Sequence, residues 1–148
     1  MRLLLDTMLG KLTTYLRMCG YDAAYSLERD VEADDAVLEL AVAEDRCLLT
    51  RDVALAARAP RSLLLGTRDV EDQLRELYEA GFDLSLPDEP TRCSACNGRV
   101  DRVPDDADRP EYAPAEGALW RCRDCGQYFW KGSHWADVRE RLERVRTV

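Results

Sequence analysis

The chain contains no apolar run approaching the roughly 20 residues that a membrane-crossing helix needs, and no internal repeat. It has a single histidine. The first absence speaks against a membrane-spanning helix. At the N-terminus, "MRLLLDTMLGKL" meets Asp6 too early to form a signal-peptide core, so the protein is expected to be cytoplasmic with no membrane partner. Scarce histidine directs attention to chemistry that needs none. Positive charge is also in deficit: the net charge is -8. Neutralising phosphates along a nucleic acid requires a basic surface, so a protein that coats nucleic acid nonspecifically is disfavoured, whereas a nuclease is not. The deficit is uneven, with 19 acidic and 10 basic side chains in residues 1–90 against 10 and 11 in residues 91–148.

At 148 residues the chain can hold one mid-sized domain, or a domain of about 90 residues with a small appendage. Up to residue 88, strand and helix signals alternate. "RLLL" is followed by Met8, Leu9, Leu12, Tyr15, Leu16 and Cys19 at helical spacing, with Gly20 as a stop. "YDAAY" reads as a second strand, and Val37, Leu38, Ala41 and Val42 mark a second helical face. "RCLLT" is a buried strand, "VALAARA" a short helix ended by Pro60, "SLLLG" another strand, and "VEDQLRELYEAG" a helix stopped by Gly81. This rhythm predicts an α/β fold, a parallel sheet with helices on both faces. Composition breaks at "DLSLPDEPTR", which separates an expected domain over residues 1–88 from an appendage over residues 91–148. The appendage carries an irregular loop, "RVPDDADRPEYAPAEGA", and a last helix from Ser133, with Ser133 as N-cap and Asp137 in the first turn.

Two strands end on carboxylates: "RLLLD" on Asp6 and "CLLTRD" on Asp52. Ligands of open α/β sheets bind beyond the carboxyl ends of the strands, where the strand order reverses. Asp34 lies three, four and seven residues before Val37, Leu38 and Ala41, which places it at the start of the same inward face, with Asp35 turned away. Three converging carboxylates repel unless a cation joins them, and a hard divalent ion such as Mg²⁺ or Mn²⁺ takes oxygen ligands. The same aspartates also suit helix N-caps. A phosphoryl-transfer hydrolase would show Asp-x-Asp after strand one, where this chain has "DTM", and a receiver domain would show an acidic pair at the end of that strand.

Four of the six cysteines form two pairs, Cys93-x-x-Cys96 and Cys122-x-x-Cys125, each followed by turn residues, Asn97-Gly98 and Gly126. Four thiolates at this spacing suit a closed tetrahedral structural Zn²⁺ better than disulfides, iron or a redox pair. Cys19 and Cys47 read as small core residues. No fifth ligand is needed, so His134 reads as part of the last helix. Tyr128, Phe129, Trp130 and Trp135 read as a small core rather than a base-stacking platform, with Lys131 and His134 as candidate phosphate contacts.

Taken together, "LLLDTMLGKLTTYLRMCGYD", "LLTRD", "RCSACNG" and "CGQYFWKGSHW" resemble the Mut-seven C-terminal RNase domain family, a PIN-like ribonuclease fold fused to a zinc ribbon. The resemblance covers essentially the whole chain. It implies metal-dependent hydrolysis of RNA, with Asp6, Asp34 and Asp52 in the acidic positions. PIN sites commonly have a fourth acid, and this chain offers none by pattern: Asp69 after "LLLGTR" suits a helix start and, like Asp35, is expected to lie outside the site. Lys11, Arg17 and Arg51 are expected to guide phosphate, and the ribbon to support the fold and grip RNA. The alternative is a noncatalytic RNA- or ribosome-binding zinc-ribbon module. No residue pattern names an antitoxin or ribosome partner, or an oligomeric state.

Overall fold

A computed structural model describes residues 1–147. Strands β1 (Arg2–Leu5), β2 (Asp22–Tyr25), β3 (Cys47–Thr50) and β4 (Ser62–Leu64) form one parallel sheet in the order β2-β1-β3-β4. Leu5 is in register with Tyr25 on one side and Leu49 on the other, and Thr50 with Leu64. The two central strands are apolar runs because both of their faces are covered. Alternation then sorts their side chains: Leu3, Leu5 and Leu49 enter one core, Leu4 and Leu48 the other.

Helix α1 (Gly10–Met18) carries the chain from β1 to the edge strand β2, and α2 (Asp34–Ala43) returns it past β1 to β3. Growth of the sheet thus reverses direction at β1. Because parallel crossovers are right-handed, the reversal puts the two helices on opposite faces. Leu12 and Leu16 of α1 sit in the larger core, and Val37 and Ala41 of α2 in the smaller one. Helix α3 (Val53–Arg58) adds Leu55 to the smaller core, and α4 (Val70–Glu79) adds Leu74 and Leu77 to the larger. α1 and α4 end as expected at Gly20 and Gly81, both at positive φ, where the following amides close back onto Leu16 and Leu77. Two expected core positions are exposed instead, Met8 before the first turn of α1 and Val42 on the outer side of α2.

The second half forms an antiparallel sheet of β5 (Val100–Arg102), β6 (Trp120–Cys122) and β7 (Tyr128–Phe129). Between β5 and β6 the chain is irregular. Helix α5 (Ser133–Arg146) follows the ribbon but returns to the first half: Val138, Leu142 and Val145 belong to the larger core, against α4. Two details of its start are corrected. Gly132 holds the N-cap position, no side chain caps the helix, and Asp137 falls beyond the first turn.

Candidate functional site

The direction of sheet growth reverses between β1 and β3; Asp6 directly follows the first of these strands, and Asp52 lies two residues past the end of the second. The last residue of β3 holds the two sides together. Thr50 is fully buried; its hydroxyl donates to Asp6 Oδ2 at 2.7 Å and accepts from the Asp52 amide at 3.0 Å. The Asp6 amide also donates to the Leu49 carbonyl at 3.1 Å.

Capping separates the aspartates. Asp52 caps α3, accepting from the Leu55 amide at 3.1 Å, and Asp69 caps α4 by accepting from Asp72 at 3.2 Å. Asp6 does not cap α1, whose N-cap is Leu9. Its second oxygen takes the Thr7 amide at 2.8 Å. Asp34 and Asp35 occupy the first turn of α2 without capping it, and Asp35 pairs outward with Arg58 at 2.5 Å. Among the described residues, the cysteines are the only group of three or more metal-ligating side chains gathered closely enough for one ion, so Asp6, Asp34 and Asp52 do not close into such a set.

Other groups line this edge. The Tyr25 hydroxyl donates to the Thr7 carbonyl at 2.6 Å, and burial followed by the charges of Glu28 and Asp6 raises its pKa. An acid that sequence reasoning missed, Glu76 of α4, binds the turn after β4. It accepts from the Gly66 amide at 2.8 Å and the Thr67 hydroxyl at 2.6 Å. Partial burial opposes its ionisation, but these donors and the charge of Arg51 outweigh burial and lower its pKa. No local pattern announces it, because it lies mid-helix and meets β4 only through the fold.

The basic residues divide. Lys11 is exposed in the first turn of α1, and Arg51, half-buried, has its Nε buried without a partner. Lys131 and His134 are exposed at the start of α5. Arg17 is a correction. It is 2 % exposed, and its guanidinium donates to the carbonyls of Ala23 (2.9 Å) and Ser94 (3.2 Å) and pairs with Glu28 at 2.7 Å. A phosphate would have to displace these partners, so Arg17 ties α1 to the sheet edge and the ribbon instead.

The four cysteines converge: their sulfurs all lie within 4.8 Å of one another, with Cys93–Cys125 at 3.6 Å and Cys96–Cys122 at 3.5 Å. A tetrahedron with metal–sulfur bonds of ~2.3 Å has an edge of ~3.8 Å, so the set can hold a metal such as zinc. Backbone amides face the sulfurs, from Gly98 to Cys96 and from Asp124 and Cys125 to Cys122. Gly98 is required there, since a Cβ would lie 2.9 Å from Cys122 Sγ and 2.6 Å from Asp124 Oδ2. Burial pushes the Cys93 thiol up. At Cys122 burial also opposes ionisation, but the amides of Cys125 and Asp124 and the neighbouring thiols hold it down to about 7.

The turn after Cys96 also seals the sheet. Asn97, at positive φ, donates to Asp22 Oδ1 at 2.7 Å and accepts the Ala23 amide of β2 at 2.9 Å. It takes the place of a strand neighbour at the exposed edge. Burial would raise the Asp22 carboxyl, but Asn97, Arg46 and Arg92 together hold it at about 2.

A family model described as the Mut7-C RNAse domain matches residues 1–142. The chain belongs to the Mut7-C RNAse domain family. Membership assigns a ribonuclease-type domain to a fold in which a four-stranded parallel sheet precedes a four-cysteine cluster able to hold a metal. Searches of curated proteins and of solved structures return no match.

Proposed function

We propose that this Mut7-C domain is a metal-dependent ribonuclease whose reaction takes place at the carboxyl edge between β1 and β3. The observation that carries the reading is the Thr50 hydroxyl, buried and shared between the Asp6 carboxylate and the Asp52 backbone. The buried hydroxyl has to find partners, and the one it donates to is a carboxylate that caps no helix, which it holds at the strand end.

Asp6 and Asp52 would hold Mg²⁺ or Mn²⁺, and Asp34, exposed at the start of α2, would complete the site or orient a water. Mg²⁺ typically takes one or two carboxylates and keeps several waters, so the oxygen donors of Asp6 and Asp52 fit it without a closed cage of three. A divalent ion bound there supplies an activated water and offsets charge on the phosphodiester. Thr50 keeps Asp6 in one rotamer throughout, while exposed Lys11 and the half-buried Arg51 would guide the phosphate backbone. The ribbon would hold a structural Zn²⁺ on its four cysteines, with RNA as the substrate in a cytoplasmic setting.

The test is cleavage of single-stranded RNA in Mg²⁺ or Mn²⁺ by the wild type and by Asp6→Asn. Asn keeps size and hydrogen bonding but removes the charge. Loss of cleavage with unchanged melting supports the site, and equal cleavage refutes it. The noncatalytic RNA-binding alternative draws on the open spacing of the three aspartates, and it predicts salt-sensitive binding without turnover.

A further inference from the structure

The aromatic residues of the ribbon do not close into the small core that their sequence suggests. Tyr128, Phe129 and Trp130 remain half-buried and, with Trp135, line a cleft of about 330 Å³ between the ribbon, the end of α1 and the start of α5. Such a volume suits a small planar ligand. Its walls are built for a flat face. A Cβ at Gly132 would lie 2.9 Å from Trp130 Nε1, so glycine at this position lets the indole lie against the turn. Tyr112, reaching over from the long loop, supports Tyr128 and Trp130 with ring centroids 6.4 and 6.3 Å away. Gln127, Ser94 and Arg92 supply polar groups at the rim.

A shallower groove continues from the cleft along α1, sharing Met18 and His134 with it and lined by Lys11, Tyr15 and Arg141. α1 starts four residues after Asp6, and its nine residues span about 12 Å, so cleft and groove lead toward the carboxyl edge. In a chain of net charge -8, no acidic residue is among the described residues lining either depression. Lys131 adds a cation 5.5 Å from the Trp135 ring centre. Arg141 is held over the Tyr15 ring by its hydroxyl and shares Glu71 with Arg144 from behind the groove, so among the described residues Lys11 and Lys131 are the cations without a carboxylate partner there. Aromatic faces beside a track lined by cations are what a single strand requires, because bases stack on the rings while the backbone follows the positive charge.

We propose that the aromatic cleft takes one unpaired base of single-stranded RNA, and that the groove past His134, Arg141 and Lys11 conducts the adjoining backbone to the Asp6 edge. The proposal rests on the ribonuclease reading and is read out without cleavage. Binding of a short fluorescent oligoadenylate to the zinc-loaded full chain is measured by anisotropy in buffer lacking Mg²⁺ and Mn²⁺. An oligomer of the same length and charge with abasic sites throughout is the second probe. The intact RNA should bind about tenfold tighter or better, Trp130→Ala should remove most of that difference, and Trp130→Phe should keep much of it. Equal affinity for the two probes overturns the cleft, whatever Asp6→Asn does to cleavage. A preference for bases supports it even if Asp6→Asn still cleaves. Failure of both probes to bind also overturns it and leaves the cleft to a protein ligand.

Discussion

The two halves of the molecule are held together by different forces. The sheet half buries thirteen leucines, carried by β1, β3, α1, α3, α4 and the adjoining loops, around two cores, whereas the ribbon buries little beyond Cys93, Val103, Leu119, Trp120 and Cys122. A core of the first kind is sustained by apolar area removed from water. A module of the second kind would depend on a metal held by its four cysteines, since three strands of two or three residues cannot offset the entropy of ordering a long acidic loop. The contrast extends to the surface: the apolar half presents carboxylates at one edge, and the four-cysteine half presents aromatic and basic groups.

The largest effect should come from removing the metal centre. Cys93→Ser or exhaustive chelation is expected to unfold the ribbon while the sheet half stays folded. Trp120 and Trp130 lie in the ribbon and Trp135 in the first turn of α5, so a partial change in tryptophan fluorescence reports the ribbon, and far-UV circular dichroism reports the helices of the sheet half. α5 should remain docked, because Val138, Leu142 and Val145 are anchored in the larger core and not by the cysteines. Concerted loss of both signals would show that the halves are one cooperative unit.

Leu49→Ala makes the opposite cut. The side chain is fully buried in the larger core, and its truncation should cost about 2–5 kcal/mol by denaturant titration, with zinc content unchanged. Smaller in energy but larger in activity is Thr50→Val. It keeps the shape but strands the Asp52 amide and frees the Asp6 rotamer, for about 1–3 kcal/mol of stability. Cleavage should fall while RNA affinity holds; unchanged cleavage would mean that the hydroxyl only supports the fold.

The smallest effect is expected at the seam. Asn97→Gly preserves the positive φ but removes both hydrogen bonds to β2, so the Ala23 amide should exchange faster with solvent. The Asp22 carboxyl, held at about 2 with Asn97 among its partners, should then titrate at a higher pH, as carboxyl chemical shifts would record. The sign follows from the lowered value. The stabilisation is complete above the unfolded pKa of about 3.9 and is lost as pH falls from there toward 2. An Asp22 titration that ignores Asn97 would show that the arginines alone lower it.

What the sequence by itself determined is what depends on local pattern and spacing. Apolar runs and helical periods mark the strands and helices, because burial on both faces leaves no other residue choice. The Cys-x-x-Cys spacing marks the metal centre, because a short chain segment can present two sulfurs to one ion in few ways. Aspartates at strand ends mark the candidate edge, because a parallel sheet gathers those ends. Tertiary structure alone decided which of these side chains are free. Arg17 and Lys11 look alike along the chain, yet one is sealed between the sheet edge and the ribbon and the other is exposed, a difference set by contacts 77 residues away at Ser94. Asp6 and Asp69 both follow strands, but only Asp69 is a helix cap. The aromatic residues read as a core until α1 and α5 place a cleft beside them. In each case the deciding partner is remote in sequence, and packing, not periodicity, selects it.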